Sequence, residues 1–137
     1  FTTEEIFSII NKENKSIHLE KFVKIPNSWN NDKLNEKWNI LKKIRDNCNI
    51  SIEKKRAEKV IGSSLEAKID LKLSNNLYEL AKNIDFAELC ITSEARVSQA
   101  NKNEQEIIVE TFKAEGKKCP ICWKIRKNKC ERHGHLS

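Results

Sequence analysis

Methionine is absent from all 137 residues, and the chain opens abruptly on Phe1-Thr2-Thr3-Glu4-Glu5. Unless an initiator has been removed, the sequence reads as a piece of a longer polypeptide. It also lacks any apolar run approaching the roughly 20 residues that a membrane helix needs. Its first residues show neither the basic nor the apolar region of a secretory signal. Export and membrane insertion are therefore not expected. The five cysteines are odd in number, which with no signal argues against a disulfide framework and for a reducing compartment, the cytoplasm by default. What is present fits a soluble fold: 38% hydrophobic and 34% charged residues can bury a modest core and are too apolar for a wholly disordered chain. The length suits one compact domain, or a small domain with an appendage. Lysine greatly outnumbers arginine, and asparagine and isoleucine are abundant. AT-rich codons produce the same bias, so composition alone is not read as function.

The location of the charge says more than its size. Lys117, Lys118, Lys124, Arg126, Lys127, Lys129 and Arg132 stand against Glu131 alone in residues 117–137, and they account for the whole net charge of +6. The preceding residues sum to zero. A basic block this dense is a footprint of polyanion binding, because each phosphate it neutralises releases condensed counterions. The plainer role, a solvated tail, competes with this. The same segment also holds most of the cysteines.

Periodicity predicts an α+β fold in which a long helix packs on a small β-sheet, followed by a zinc knuckle. Thr2-x-x-Glu5 has capping-box spacing, and Ile6, Ile9 and Ile10 follow at helical steps, so 3–12 is expected to be helical. Ile17, Leu19, Phe22 and Val23 suggest a short extended segment ending at Pro26. Asn30 or Asn31 can cap the long helix, where Leu34, Trp38, Leu41, Ile44, Cys48 and Ile52 recur every three or four residues. It is expected to break near Asn47–Asn49, resume to Val60-Ile61, and stop at Gly62. Ala67, Ile69, Leu71 and Leu73 alternate as a half-buried strand does. Ser74 can cap a helix through Leu77, Tyr78, Leu80 and Ala81, and a short helix is expected around Phe86. Strands are expected from Cys90 to Val97 and from Ile107 to Phe112, joined by a hairpin loop over Ser98–Gln105. Cys48 and Cys90 fall on apolar faces and read as core. His18 reads as structural or merely exposed.

Cys119-Pro120-Ile121-Cys122 and Cys130-Glu131-Arg132-His133 are two C-x-x-[CH] pairs separated by seven residues. A two-residue gap lets a tight turn bring both side chains to one face of a tetrahedral ion. Three soft thiolates and an imidazole select Zn²⁺, and four ligands with no open position make a structural site, with Cys119, Cys122, Cys130 and His133 as ligands. His135, two residues beyond, is the alternative fourth ligand. Such a site contributes folding free energy on the order of 10 kcal/mol. It adds about −1 to the tail, which stays near +5 and still attracts phosphate. Trp123 either stacks on an unpaired base or covers the knuckle.

With these residues in view, the sequence resembles the C-terminal region of bacterial-type isoleucyl-tRNA synthetases, class I aminoacyl-tRNA synthetases, including their terminal zinc finger. Phe1-Thr2-Thr3-Glu4-Glu5-Ile6 is similar to the segment closing the family's helical anticodon-binding domain, and Ile17-His18-Leu19-Glu20 to the stretch after it. Arg56 and Val60-Ile61-Gly62-Ser63-Ser64-Leu65-Glu66-Ala67 match its most specific run, and Cys119-Pro120-Ile121-Cys122-Trp123 with Cys130-Glu131-Arg132 its finger. The family commonly has a fourth cysteine where this chain has His133, and often a longer loop between knuckles. The resemblance divides the chain into 1–28, the end of the anticodon-binding domain, 29–115, a small α+β domain, and 116–137, the basic finger. It implies tRNA binding near the anticodon stem and loop, isoleucine isoacceptors as partners along with the rest of the synthetase chain, and ATP only in the full-length enzyme. It implies no catalysis here, for neither the HIGH nor the KMSKS signature occurs. Ile61-Gly62-Ser63-Ser64 lacks the Gly-Lys-[Ser/Thr] ending of a phosphate loop. The alternative function is a stand-alone zinc-dependent nucleic-acid-binding module. A glycosylase-type repair enzyme also ends in a similar finger, but the 61–67 run does not fit one.

Overall fold

The helical repeat of Leu41, Ile44, Cys48 and Ile52 organises the larger part of the chain. The computed structural model describes residues 1–11, 15–101 and 106–134. They form two compact units, Phe1–Asp32 and Lys33–Ser137.

In the first unit, helix α1 (Thr2–Ile10) begins after Phe1 with no side-chain cap, so the Thr2–Glu5 capping box does not form. Thr2 lies inside the helix and not ahead of it. Glu4 instead accepts the Ile17 N–H at 3.1 Å. The expected extended segment around Ile17 is a 3₁₀ turn, Ile17–Leu19, because the Ser16 hydroxyl caps it by accepting from the His18 N–H. His18 is exposed, 4.0 Å from Glu4. A second 3₁₀ turn covers Asn27–Trp29. Among the described residues of this unit none is buried.

Helix α2 (Asp32–Ala57) runs without the expected break at Asn47–Asn49. Asn47 donates its side-chain amide to the Lys43 carbonyl at 2.9 Å, one turn back, which is compatible with continued helix. Leu41, Ile44, Cys48 and Ile52 are buried, while Leu34 and Trp38 on the same spacing stay partly exposed, so the core meets only the later turns. The helix stops earlier than Gly62. Lys59 N–H donates to the Arg56 carbonyl and Val60 N–H to the Lys55 carbonyl, both at 3.0 Å, which is a Schellman ending with Lys59 in the left-handed region at φ 57°. Gly62 comes three residues later, where its N–H is held by the Glu66 carboxylate at 3.0 Å.

Strand β1 (Ala67–Leu73) alternates as expected, with Ala67, Ile69, Leu71 and Leu73 fully buried. Helices α3 (Asn75–Ala81) and α4 (Phe86–Leu89) follow. Ser74 holds the N-cap position of α3 with no side-chain bond, whereas Asp85 caps α4 by accepting from the Ala87 and Glu88 N–H groups. Strand β2 (Glu94–Gln99) starts later than Cys90, because α4 ends in a second Schellman turn with Ile91 at φ 55°. Strand β3 (Ile107–Lys113) completes the sheet.

The sheet order is β2-β1-β3, with β2 parallel and β3 antiparallel to the central β1. The expected β2–β3 hairpin is therefore absent: the two strands lie on opposite sides of β1. Residues 102–105 of that connection lie outside the described residues. The core lies on the α2 face of the sheet, built from that helix, β1, α3 and Phe86. Cys48 and Cys90 belong to it, and the Cys48 thiol is pushed up by its hydrogen bond with Cys90 and by burial, which keeps it neutral. No helix among the described residues is long and apolar enough to cross a membrane.

A lysine in the left-handed region strains where glycine does not, by about 1–2 kcal/mol, against a backbone entropy cost for glycine of about 0.5–1 kcal/mol. Lys59→Gly is thus expected to stabilise the fold by roughly 0.5–1 kcal/mol, read as a higher midpoint in chemical denaturation. A lower midpoint would mean that the Lys59 side chain contributes more than its backbone costs.

Candidate metal centre and basic finger

Strands β4 (Lys117–Lys118) and β5 (Ile125–Arg126) pair antiparallel and carry the Cys119–Cys122 turn between them. The Cys119 N–H donates to the Lys124 carbonyl and the Trp123 N–H to the Cys119 carbonyl, each at 3.0 Å, which closes the knuckle with Trp123 at φ 64°. The second turn closes when Gly134, at φ 68°, donates to the Cys130 carbonyl at 2.7 Å. Gly116 is needed for a different reason. A Cβ there would lie 2.1 Å from the Arg126 carbonyl oxygen, so only glycine lets the chain enter β4 beside β5.

These two turns bring Cys119, Cys122, Cys130 and His133 together, with ligand atoms all within 4.8 Å of one another. His133 Nδ1 is 3.7 Å from both Cys119 Sγ and Cys130 Sγ, and Cys122 Sγ is 3.8 Å from Cys130 Sγ. With Zn–S bonds of about 2.3 Å, the edge of a tetrahedron of sulfurs is about 3.8 Å. The donor set and its spacing therefore fit one tetrahedral metal ion. Hydrogen bonds to sulfur from the backbone N–H groups of Cys122 and Ile121, with further help from the His133 and Cys122 side chains, draw the Cys119 thiol down to about 6 against the opposing effect of burial. A thiol drawn down in this way gives up its proton more readily, which ligation of a metal requires. Cys122 has its largest single influence from the Lys124 N–H, which lowers it, yet burial and the neighbouring Cys119 and Cys130 leave it raised. Cys119 and Cys130 are buried. The alternative ligand His135 lies outside the described residues.

The basic side chains separate into two groups. Lys117, Lys118, Lys127, Lys129 and Arg132 are exposed. Lys118 sits over the Trp123 ring, 5.3 Å from its centroid, and Trp123 itself is 57% exposed, which leaves most of the ring open on the finger surface. Lys127 pairs with Glu115. Lys124 departs from the surface position its sequence context suggests: it is buried, with its ammonium 2.5 Å from Glu88 on α4. Arg126 also turns inward, donating to the Ser93 carbonyl at 2.7 Å.

Ser93 is a residue that sequence reasoning missed. Fully buried just ahead of β2, it donates its hydroxyl to the Leu65 carbonyl at 2.5 Å and accepts the Ile125 N–H at 2.6 Å. Its own N–H donates to the Ala67 carbonyl at 3.0 Å. One side chain thus ties the Gly62–Ala67 run to β5 of the finger. No local pattern marks it, since its partners are 28 and 32 residues away.

No protein-family model matches the chain. It is 63% identical over 133 residues, 97% of its length, to the isoleucine–tRNA ligase of Pelagibacter ubique. It is 37% identical over 134 residues to that of Agrobacterium fabrum and 36% identical over 133 residues to that of Bartonella henselae. The chain spans about 14% of the length of these curated relatives.

Ser93→Ala leaves the Leu65 carbonyl and the Ile125 N–H without their buried partner and is expected to cost about 1–3 kcal/mol in denaturant unfolding. Hydrogen exchange should quicken at Ile125 before it does in β1. Unchanged stability together with unchanged exchange would show that Ser93 does not anchor the finger.

Proposed function

The chain is homologous to the isoleucine–tRNA ligases along nearly its whole length, and from that premise we propose that it is a tRNA-holding part of such a ligase, with one structural Zn²⁺ fixing its basic finger. On this reading residues 1–28 close the helical anticodon-binding domain, 29–115 form the small α+β domain and 116–137 the zinc finger. Isoleucine activation and its ATP belong to the remainder of the ligase, acting in the cytoplasm, and the RNA partner is tRNA of the isoleucine isoacceptors.

The observation that carries the proposal is the Cys119, Cys122, Cys130 and His133 cluster at tetrahedral spacing, in a segment whose Lys117, Lys118, Lys127, Lys129 and Arg132 are exposed. A metal at that point would fix two tight turns that have little apolar content to hold them. The exposed Lys117, Lys118, Lys127, Lys129 and Arg132 then meet phosphates, and Trp123 offers a face to an unpaired base. Lys124 and Arg126 support the same surface from behind, through Glu88 and Ser93. Phosphate contacts position an RNA without reading its bases, so discrimination by the finger is modest.

Elemental analysis of the purified protein should find one equivalent of zinc, lost on Cys130→Ala, with Co²⁺ giving a tetrahedral thiolate spectrum in its place. No retained metal and no spectrum would remove the zinc from the proposal. Lys129→Ala should lower the slope of log affinity against log salt by roughly one and weaken binding of all tRNAs alike. Chelation that unravels the finger and leaves tRNA affinity intact would make the centre purely structural.

A further inference from the structure

The face of the sheet turned away from α2 carries its own constellation. Its first row is Glu94, Lys68 and Phe112 across β2, β1 and β3, and its second is Arg96, Asp70 and Glu110. At one end this face meets the finger, and a cleft of about 380 Å³ opens there, lined by Lys68, Asp70, Glu94, Phe112, Lys113, Glu115 and Lys127. That volume is within the range of small-ligand sites.

Three features of the cleft point the same way. Phe112 is 46% exposed although it sits in a strand beside a well-filled core, so an aromatic face is left open on the sheet. Asp70, in the middle of the central strand, has its Oδ1 closed off from solvent with no hydrogen-bond partner among the described residues. Neighbouring charges do not supply one. Arg96, its cross-strand neighbour, pairs with Glu94 at 2.9 Å, and Lys127 pairs with Glu115. Those pairs leave Lys68 and Lys113 in no ion pair among the described residues, although Lys68 lies close enough to Glu115 to help hold its carboxyl down. An open aromatic face, a carboxylate lacking a donor and two lysines among the lining residues together match one nucleotide. The base stacks, its N–H groups meet the carboxylate at Oδ2, the oxygen that is not closed off, and its flanking phosphates meet the lysines.

We propose that this cleft takes a single unpaired RNA base, stacked on Phe112 and read by Asp70, with Lys68 and Lys113 on the adjoining phosphates. The proposal rests on the tRNA-holding reading above and locates a second point of contact, on the sheet and not on the finger. Asp70 accepts only, so it favours bases that offer an amino group, cytosine, adenine or guanine, over uracil.

The test uses the full-length, zinc-loaded protein and two probes: an isoleucine tRNA transcript, and single-stranded hexaribonucleotides of C, A or U. Phe112→Ala should weaken transcript binding about tenfold, within the range for loss of one base–aromatic stack, and leave the salt slope unchanged. Phe112→Tyr should restore the affinity, which a folding defect would not allow. Asp70→Asn should narrow the difference between C₆ and U₆. Transcript affinity unchanged in Phe112→Ala, while Lys129→Ala still lowers the salt slope, would overturn the cleft and leave the finger reading standing. Loss of thermal stability in Phe112→Ala with undiminished RNA affinity would make this face an intramolecular packing surface, and also overturn the proposal. No transcript binding by the unsubstituted protein would end both readings at once.

Discussion

Ser93 is the side chain through which the finger and the sheet become one body. The finger has few apolar residues and could not be held in place by burial alone. Its position is fixed by hydrogen bonds that leave the body: Ile125 N–H to the Ser93 hydroxyl, the Arg126 guanidinium to the Ser93 carbonyl, and the Lys124 ammonium to Glu88. All three are at least partly withdrawn from water, where a hydrogen bond is stronger and a missing partner more costly. The same hydroxyl reaches the Leu65 carbonyl. The Gly62–Ala67 run, which forms a 3₁₀ turn over Ser64–Glu66, therefore supplies the backbone to which Ser93 is tied.

A metal held by the Cys119, Cys122, Cys130 and His133 cluster would divide the work of folding the last segment with this anchor. The cluster would define the shape of two turns, and the anchor defines where those turns sit. Neither can do the other's part. A tetrahedral centre is indifferent to its orientation on the sheet, and three hydrogen bonds cannot close a loop from Cys119 to His133. Charge is divided in the same way. Lys124 and Arg126 face inward to Glu88 and Ser93, and Lys117, Lys118, Lys127, Lys129 and Arg132 are exposed.

What could be read from the sequence was what is local. The clustering of Cys119, Cys122, Cys130 and His133 follows from spacing within each of two turns, and β1 follows from strict alternation at Ala67, Ile69, Leu71 and Leu73. The periodic helix was legible, but its end was not, because Lys59 adopts the conformation usually left to glycine. Ile91 does the same ahead of β2 and delays that strand by several residues. With three glycines in the whole chain, the left-handed positions fall to other residues, and a rule that looks for glycine passes over them. The apparent β2–β3 hairpin failed for a reason of topology. Consecutive strands are usual neighbours, yet here β1 had already taken the place between them. The burial of Lys124 was equally hidden, since Glu88 lies 36 residues earlier.

The order β2-β1-β3 has a consequence for how the protein is made on the ribosome. Its central strand is synthesised first, and the partner on its antiparallel edge is translated last of the three: Ala67 waits for Lys113. At roughly 5–20 residues per second, that edge stands unpaired for a few seconds in every nascent chain. An unpaired edge of alternating apolar residues is a template for pairing with another chain. The charged residues between them, Lys68, Asp70 and Lys72, oppose that pairing while the chain grows. The charges that line the open face of the finished sheet thus already act in the nascent chain, against pairing with another chain.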